Sequence, residues 1–240
     1  MTERNLRLTL RSTFTALFAA LICVGCLISI PLPGGVPISV QNMFSILAGC
    51  TLGGIQGAGA VGLFIVLGAI GLPVFSGAVG GMAILIGPTG GYIWGYFLGA
   101  LVAGLILGTP HTFEKKFQVA HWLKIALAAF LGYLIVYIPG VPWFRHVVLS
   151  NPENNLNSVL TPLSTTGQLK QVLAWTVIPF IPGDLIKLII TVPLAATLRP
   201  ILARYLYSDE KTEEAELIAA MKAKKERMDA IASKFNGESK

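Results

Sequence analysis

Six stretches of this chain are apolar enough, and nearly long enough, to cross a lipid bilayer as helices, and that outranks every other constraint in the sequence. They run from about Ser12 to Ile30, Ile38 to Gly54, Ala58 to Leu72, Gly90 to Gly108, Phe117 to Ile138 and Gly183 to Tyr207. A bilayer core takes ~20 mostly apolar residues, and backbone polar groups inside it must be satisfied within the segment. Composition agrees: 54% of the 240 residues are hydrophobic and 12% are charged, against about a quarter charged in a soluble domain. The expectation is an all-α integral membrane protein, with a six-helix membrane bundle over residues 1–207 and a charged helical tail over 208–240. The second and third stretches are short and joined through Ile55 to Gly57, which suggests a tight helical hairpin.

A net charge of +6 does not point to nucleic acid, because the basic residues are not gathered with aromatics on a soluble face. They follow the rule that cytoplasmic loops carry the excess of Lys and Arg. Arg4, Arg7, Arg11, Lys115, Lys116 and every basic residue from Arg199 onward fall on one side, with Lys124 just inside the fifth span. The other side holds only Arg145 and Lys170. Both termini are therefore expected in the cytoplasm, with the chain in the cell membrane. Trp94, Trp122, Trp143 and Trp175 fall mostly near span ends, as interfacial anchors do. The basic N-terminus before an apolar run imitates a signal peptide, but no convincing small-x-small cleavage site follows, so it reads as a retained first span. Cys23, Cys26 and Cys50 lie in apolar segments without a second ligand pair nearby, and read as small packed hydrophobes rather than as a metal site.

Small residues recur at helical spacing. Gly87, Gly91, Gly95, Gly99 and Ala103 leave a smooth stripe along the fourth span, which suits close packing inside the bundle. Ser12, Ala16 and Ala20 repeat the spacing on the first span, where the stripe can serve the bundle or another subunit.

Two outer connectors are richer than simple turns require. "PLPGGVPISVQN" ends in Gln41 and Asn42, amides that both donate and accept. "GLPVFSGAVGGMAILIGPTGGYIWG" alternates Gly and Pro with apolar residues, and reads as a lid folded back over the bundle. Within it Thr89 can cap the fourth helix and Gly87 can offer backbone to a ligand. A re-entrant packing loop without a ligand is the other reading. The connector from Pro139 to about Thr176 is polar in its middle, "SNPENNLNS", where exposed, partly mobile structure is expected.

"FIPGDLIKLII" sets Asp184 and Lys187 one helical turn apart at membrane depth. A carboxylate at a helix start caps free amides and suits the positive end of the dipole. Lys187 has no such reason, since its charge opposes the same dipole and its burial is costly unless paired. The pair is either a structural ion pair or part of a polar site for a small solute beneath the outer loops.

"PISVQ" at 37–41, "LGAIGLPVFSG" at 67–77, "GPTGGYIWGY" at 87–96 and "IPFIPGDLIK" at 178–187 resemble, in order, the signatures of the BioY family, the biotin-specific S-components of energy-coupling factor vitamin transporters. The resemblance runs from about Thr13 to Leu198. It implies a six-helix bundle that captures biotin on the outer side, with a transmembrane coupling subunit and two cytoplasmic ATPase subunits as partners. It further implies that Asp184 and Lys187 bind ligand, with Gln41, Tyr92, Gly87 and Thr89 as further ligand-binding candidates. Ala16 and Ala20 match the alanine-spaced first helix that touches the coupling subunit. Asp184 suits the ureido N–H groups, while Lys187 can meet either the ureido carbonyl or the carboxylate. The long connector before the sixth span and the tail from Ser208 depart from the family pattern. The tail places Leu217, Met221, Met228, Ile231 and Phe235 at helical spacing after a cap-like Ser208, as in a solvated cytoplasmic helix or one lying on membrane or partner.

No G-x-x-x-x-G-K-[ST] motif occurs, so ATP would be used only by partner subunits and no cofactor is implied. A different vitamin is one alternative reading. A membrane enzyme is another, but His111 and His121 fall on the inner side and His146 in an outer loop, where they cannot converge with Asp184.

Overall fold

The computed structural model describes residues 3–30, 36–110, 119–207, 218–219, 221–225 and 228. Its helices are α1 (Glu3–Val24), α2 (Gln41–Leu52), α3 (Gly54–Ala69), α4 (Met82–Ile86), α5 (Gly90–Leu107), α6 (Val119–Ser150), α7 (Asn157–Leu160), α8 (Thr165–Thr176) and α9 (Ile181–Leu206). A two-residue ribbon pairs β1 (Ser29–Ile30) antiparallel to β2 (Ile38–Ser39), with Ser29 opposite Ser39. Among the described residues, four helical stretches are long and apolar enough to cross a membrane: Asn5–Leu27, Gly90–Leu107, Val119–Ser150 and Thr165–Leu206. The α3 helix is apolar but shorter. Residues 31–35, the basic pair Lys115 and Lys116, and most of the expected tail helix lie outside the described residues, although 218–219, 221–225 and 228 are helical.

The α2–α3 break comes earlier than expected. Ile55 to Gly57 lie inside α3, and the chain turns at Gly53, whose φ of +89° is one that a side chain disfavours. Its amide still donates to the Gly49 carbonyl at 3.1 Å, so α2 ends without an orphaned group there.

The glycine stripe of α5 faces α6. A Cβ on Gly95 would stand 2.5 Å from the Val136 carbonyl oxygen, and one on Gly99 would stand 2.5 Å from that of Gly132. Lipid tails are as apolar as Leu, so helices in a bilayer gain little by hiding apolar surface and much by close van der Waals approach, which these positions permit. Gly87 is not part of this seam; it terminates α4.

The α6 helix runs straight through Pro139 and Pro142 to Ser150, past the expected end at Ile138. At 1.5 Å per residue it is about 48 Å long, well beyond a ~30 Å hydrocarbon core. Interior prolines cost about 3 kcal/mol each, so packing must hold the extension. Phe144 and Val148 are fully buried against Leu160 and Val172 of α7 and α8. Arg145 donates from Nε and Nη2 to Gln168 Oε1 at 3.1 and 2.6 Å. Asn157 Nδ2 donates to the Val148 and Leu149 carbonyls at 2.9 and 3.0 Å, satisfying groups that the end of α6 would leave bare. The polar middle of this connector, 150–158, is mostly exposed as expected, while α7 and α8 form a folded buttress on α6.

At the end of the bundle holding the α2–α3 break, α9 clamps its neighbours. Arg199, 1% exposed, donates to the Cys50 carbonyl at 2.5 Å and to those of Leu107, Gly108 and Thr109 at 3.3, 3.3 and 3.5 Å. Tyr207 donates through its hydroxyl to the Leu52 carbonyl and Gln56 Oε1, both at 2.9 Å. Arg11 donates from Nε to the Leu206 carbonyl at 3.0 Å and lies 4.5 Å over the Tyr207 ring. The opposite end, where α2, α5 and α9 begin, is built differently.

Candidate functional site

At that opposite end α2 opens with Gln41 and Asn42, and Ser39 accepts from the Gln41 amide at 3.1 Å. The Asn42 side chain meets the first turns of α9. Asn42 Nδ2 donates to Asp184 Oδ1 at 3.1 Å, Lys187 Nζ donates to Asn42 Oδ1 at 2.9 Å, and Lys187 Nζ also donates to Asp184 Oδ1 at 3.3 Å. An ammonium only donates and a carboxylate only accepts, so the amide can sit between them in one orientation alone. Tyr137, reaching in from α6, donates its hydroxyl to Asp184 Oδ2 at 2.5 Å. The charged couple therefore binds α2, α6 and α9 together, and Asp184 takes side-chain donors rather than capping the backbone amides of α9.

Beside this cluster lie two hollows. The larger, about 480 Å³, is lined by Ser29, Gln41, Phe75, Ser76, Thr89, Tyr92 and Tyr96 among others. The smaller, about 20 Å³, has room for little more than a water, and is lined by Asn42, Tyr92, Tyr96, Tyr137, Thr176 and Lys187 among others. Val36, Pro37, Tyr92 and Tyr96 wall both. Asp184 lies behind the smaller recess, touching Lys187, Asn42 and Tyr137, which line it.

One hydroxyl at the larger hollow, that of Ser76, is buried without a hydrogen-bond partner among the described residues, whereas the Tyr92 hydroxyl has Thr176 beside it. Leaving a buried hydroxyl unpaired costs about 1–3 kcal/mol. Tyr92, 4% exposed, meets Tyr137 edge to face at 6.2 Å, and its ring fills the space where Gly140 has no Cβ.

Of the residues expected at a site, Gln41, Thr89, Tyr92 and Lys187 line one hollow or the other, and Asp184 is one contact away. Gln41 is partly committed: its Nε2 donates to the Ile22 carbonyl at 3.0 Å and to that of Val74 at 2.7 Å, tying α1 to the loop after α3. Thr89 precedes α5 but makes no side-chain cap, because its backbone is already helical there. Gly87 lines neither hollow; its carbonyl accepts from Trp143 Nε1 at 3.0 Å. Sequence reasoning passed over Ser76, Tyr96, Tyr137 and Thr176. Asn42 carried a signal, as an amide at membrane depth beside Gln41, and Ser76 and Tyr96 lie within the stretches 67–77 and 87–96 that carry the family resemblance; Tyr137 and Thr176 look like ordinary residues of apolar helices.

A second feature lies at the far end of the bundle. Ser12, Ala16 and Ala20 are exposed along α1. An open groove of about 510 Å³ there is lined by Arg11, Ser12, Thr15, Ala16, Ile55 and Gln56 among others.

Comparison with known proteins gives the same direction throughout. A biotin transporter BioY of Thermotoga maritima is 37% identical over 183 residues, spanning 76% of this chain and 92% of the relative. One from Rhodobacter capsulatus is 39% identical over 198 residues, 82% of this chain and 93% of the relative. The crystal structure at 2.1 Å of the S-component for biotin from an ECF-type ABC transporter matches with a TM-score of 0.62 and 30% identity, covering 83% of this chain and 94% of that one. The family model for BioY matches residues 1–204. On this extent of agreement, in sequence and in fold, the chain belongs to the BioY family.

Proposed function

We propose that this chain is the biotin-capturing S-component of an energy-coupling factor uptake transporter, binding the vitamin at the hollow beside Asp184 and Lys187. The named relatives are transporters rather than enzymes, and this chain acts with no cofactor of its own. The observation that carries the reading is a half-buried carboxylate paired with a buried ammonium, next to a 480 Å³ hollow into which the Ser76 hydroxyl brings a group without a partner among the described residues. Intramembrane ionisable groups are retained where they serve a solute. Biotin has the matching chemistry: two ureido N–H donors and a carbonyl acceptor, an apolar ring and chain, and one carboxylate. The ureido group goes to Asp184, Asn42 and Lys187, because a ligand carboxylate at Lys187 would meet the charge of Asp184 3.3 Å from Nζ. Gln41, Tyr92 and Thr89 complete the binding set, and Gly87 supports it by anchoring Trp143.

In this reading α1, α2, α3, α5, α6 and α9 are six spans, with α2 and α3 acting as a buried, shortened pair. Residues 1–207 form the membrane domain and 208–240 a cytoplasmic helical tail. The charge distribution supports a plasma-membrane orientation with both termini inside and the hollow outside: Arg7, Arg11, Lys124 and Arg204 flank the far end, Arg145 and Lys170 the near end. A transmembrane coupling subunit and two cytoplasmic ATPase subunits complete the transporter, since this chain has no phosphate-binding loop.

Purified protein in detergent is expected to retain labelled biotin without nucleotide, and unlabelled biotin to displace it where riboflavin and thiamine do not. Displacement by another vitamin instead would assign a different solute, and no retention of any would reject capture. The exposed Ala16–Ala20 stripe is the surface for the coupling subunit. Leu at both positions should cut uptake and co-purification with that subunit while leaving biotin affinity within about twofold, as expected of distant sites. Unchanged co-purification would remove the stripe from the interface.

A further inference from the structure

The loop between α3 and α4 is fixed to the bundle at almost every step. Phe75 is 1% exposed although it sits in a connector. Its ring occupies a notch at Gly68, where any Cβ would overlap it, and stands edge-on to Phe64 at 5.4 Å. The Val74 carbonyl is held by Gln41, the Gly81 amide donates to the Gly68 carbonyl at 2.7 Å, and the Phe75 amide donates to the Val79 carbonyl at 2.9 Å. The tip turns through Gly77 and Ala78, with φ of +85° and +57°. Positive φ at an alanine is disfavoured and persists where its surroundings hold it.

Ser76 stands between this anchored phenylalanine and the strained turn. It lines the 480 Å³ hollow, and its hydroxyl is buried with no hydrogen-bond partner among the described residues. A serine hydroxyl can rotate to suit any neighbour within reach. One that has no partner among the described residues, in so closely bonded a loop, is placed to meet a guest in the hollow.

We propose that Ser76 is a solute-binding residue, whose hydroxyl hydrogen-bonds a polar atom of the captured molecule while Phe75 holds it in place. The inference rests on the biotin reading and adds to it a contact that neither the paired charges nor the family signatures assign. The connector is then part of the binding surface as well as a cover over it.

Calorimetric and rate measurements on the full chain in detergent test this. Ser76→Ala is expected to raise the biotin Kd about tenfold, chiefly through faster release, as for loss of one buried hydrogen bond. The thermal midpoint of the empty protein should hold or rise, because an unpaired buried hydroxyl has been removed. A hydroxyl with a merely structural role would do the reverse, lowering that midpoint. A Kd within twofold of wild type, or a midpoint that falls together with affinity, overturns the proposal. Wild-type protein that fails to retain biotin overturns the reading beneath it, a result distinct from binding that Ser76→Ala leaves intact.

Discussion

Asp184→Asn is expected to weaken biotin binding about a hundredfold or more, the scale of truncating one partner of a buried charge pair at an interface. The same change should also destabilise the empty protein, because it strands a charge. The new amide keeps one accepting oxygen for Lys187 and Asn42 but no charge to balance the ammonium, and its NH2 meets the Tyr137 hydroxyl, which must turn from donor to acceptor. Breaking a buried pair in this way costs about 3–5 kcal/mol. Lys187→Met should be gentler on the fold. Asp184 would keep Asn42 and Tyr137 as donors and would still face the positive end of α9. The double variant separates the two roles: with both charges gone the fold should recover most of its stability, while binding stays lost. Biotin titrations and thermal midpoints on the three proteins read this directly. A double variant that binds biotin like wild type would show the couple to be a structural strut and nothing more.

That experiment bears on what the sequence could and could not display. The cost of Lys187 in an apolar run was legible, and so was its neighbour of opposite charge, because helical spacing puts positions 184 and 187 on one face. Which groups close the circuit was not legible. Asn42 lies 142 residues from Asp184 and Tyr137 lies 47 away, and only the packing of α2 and α6 against α9 brings them in. A guest molecule is therefore not needed to neutralise the couple; the protein does so itself, and the Ser76 hydroxyl, without a partner among the described residues, faces the space left for a guest. The glycine stripe was read correctly as an internal seam from Gly91 to Ala103, since period and size are one-dimensional facts. The ends of elements were harder. Pro139 looks like a terminator, yet α6 continues because Phe144 and Val148 find Leu160 and Val172, contacts that no local rule anticipates.

Arg199 is the clearest case of a residue whose sequence reading was too coarse, and replacing it should produce the second large effect. A count of basic residues assigns it to the inner side as one more cytoplasmic charge. In the fold it is buried, and a single guanidinium serves carbonyls from the last turns of both α2 and α5. Helix C-termini carry free carbonyls and the negative end of the dipole, so a planar cation with several donors suits the junction in a way that a lysine does not. Arg199→Met should leave those carbonyls without that donor and lower stability by about 3–5 kcal/mol, the range for removing one side of a buried charged contact. For a chain of this length that is roughly a 10 °C fall in thermal midpoint. Arg199→Lys should restore less than half, since one ammonium cannot span both helix ends. The change lies at the end of the bundle remote from Asp184, so biotin affinity well below the melting range should stay within about twofold of wild type. Loss of affinity matching the loss of stability would instead mean that α9 links its two ends, and that the clamp at the base helps set the geometry of the site.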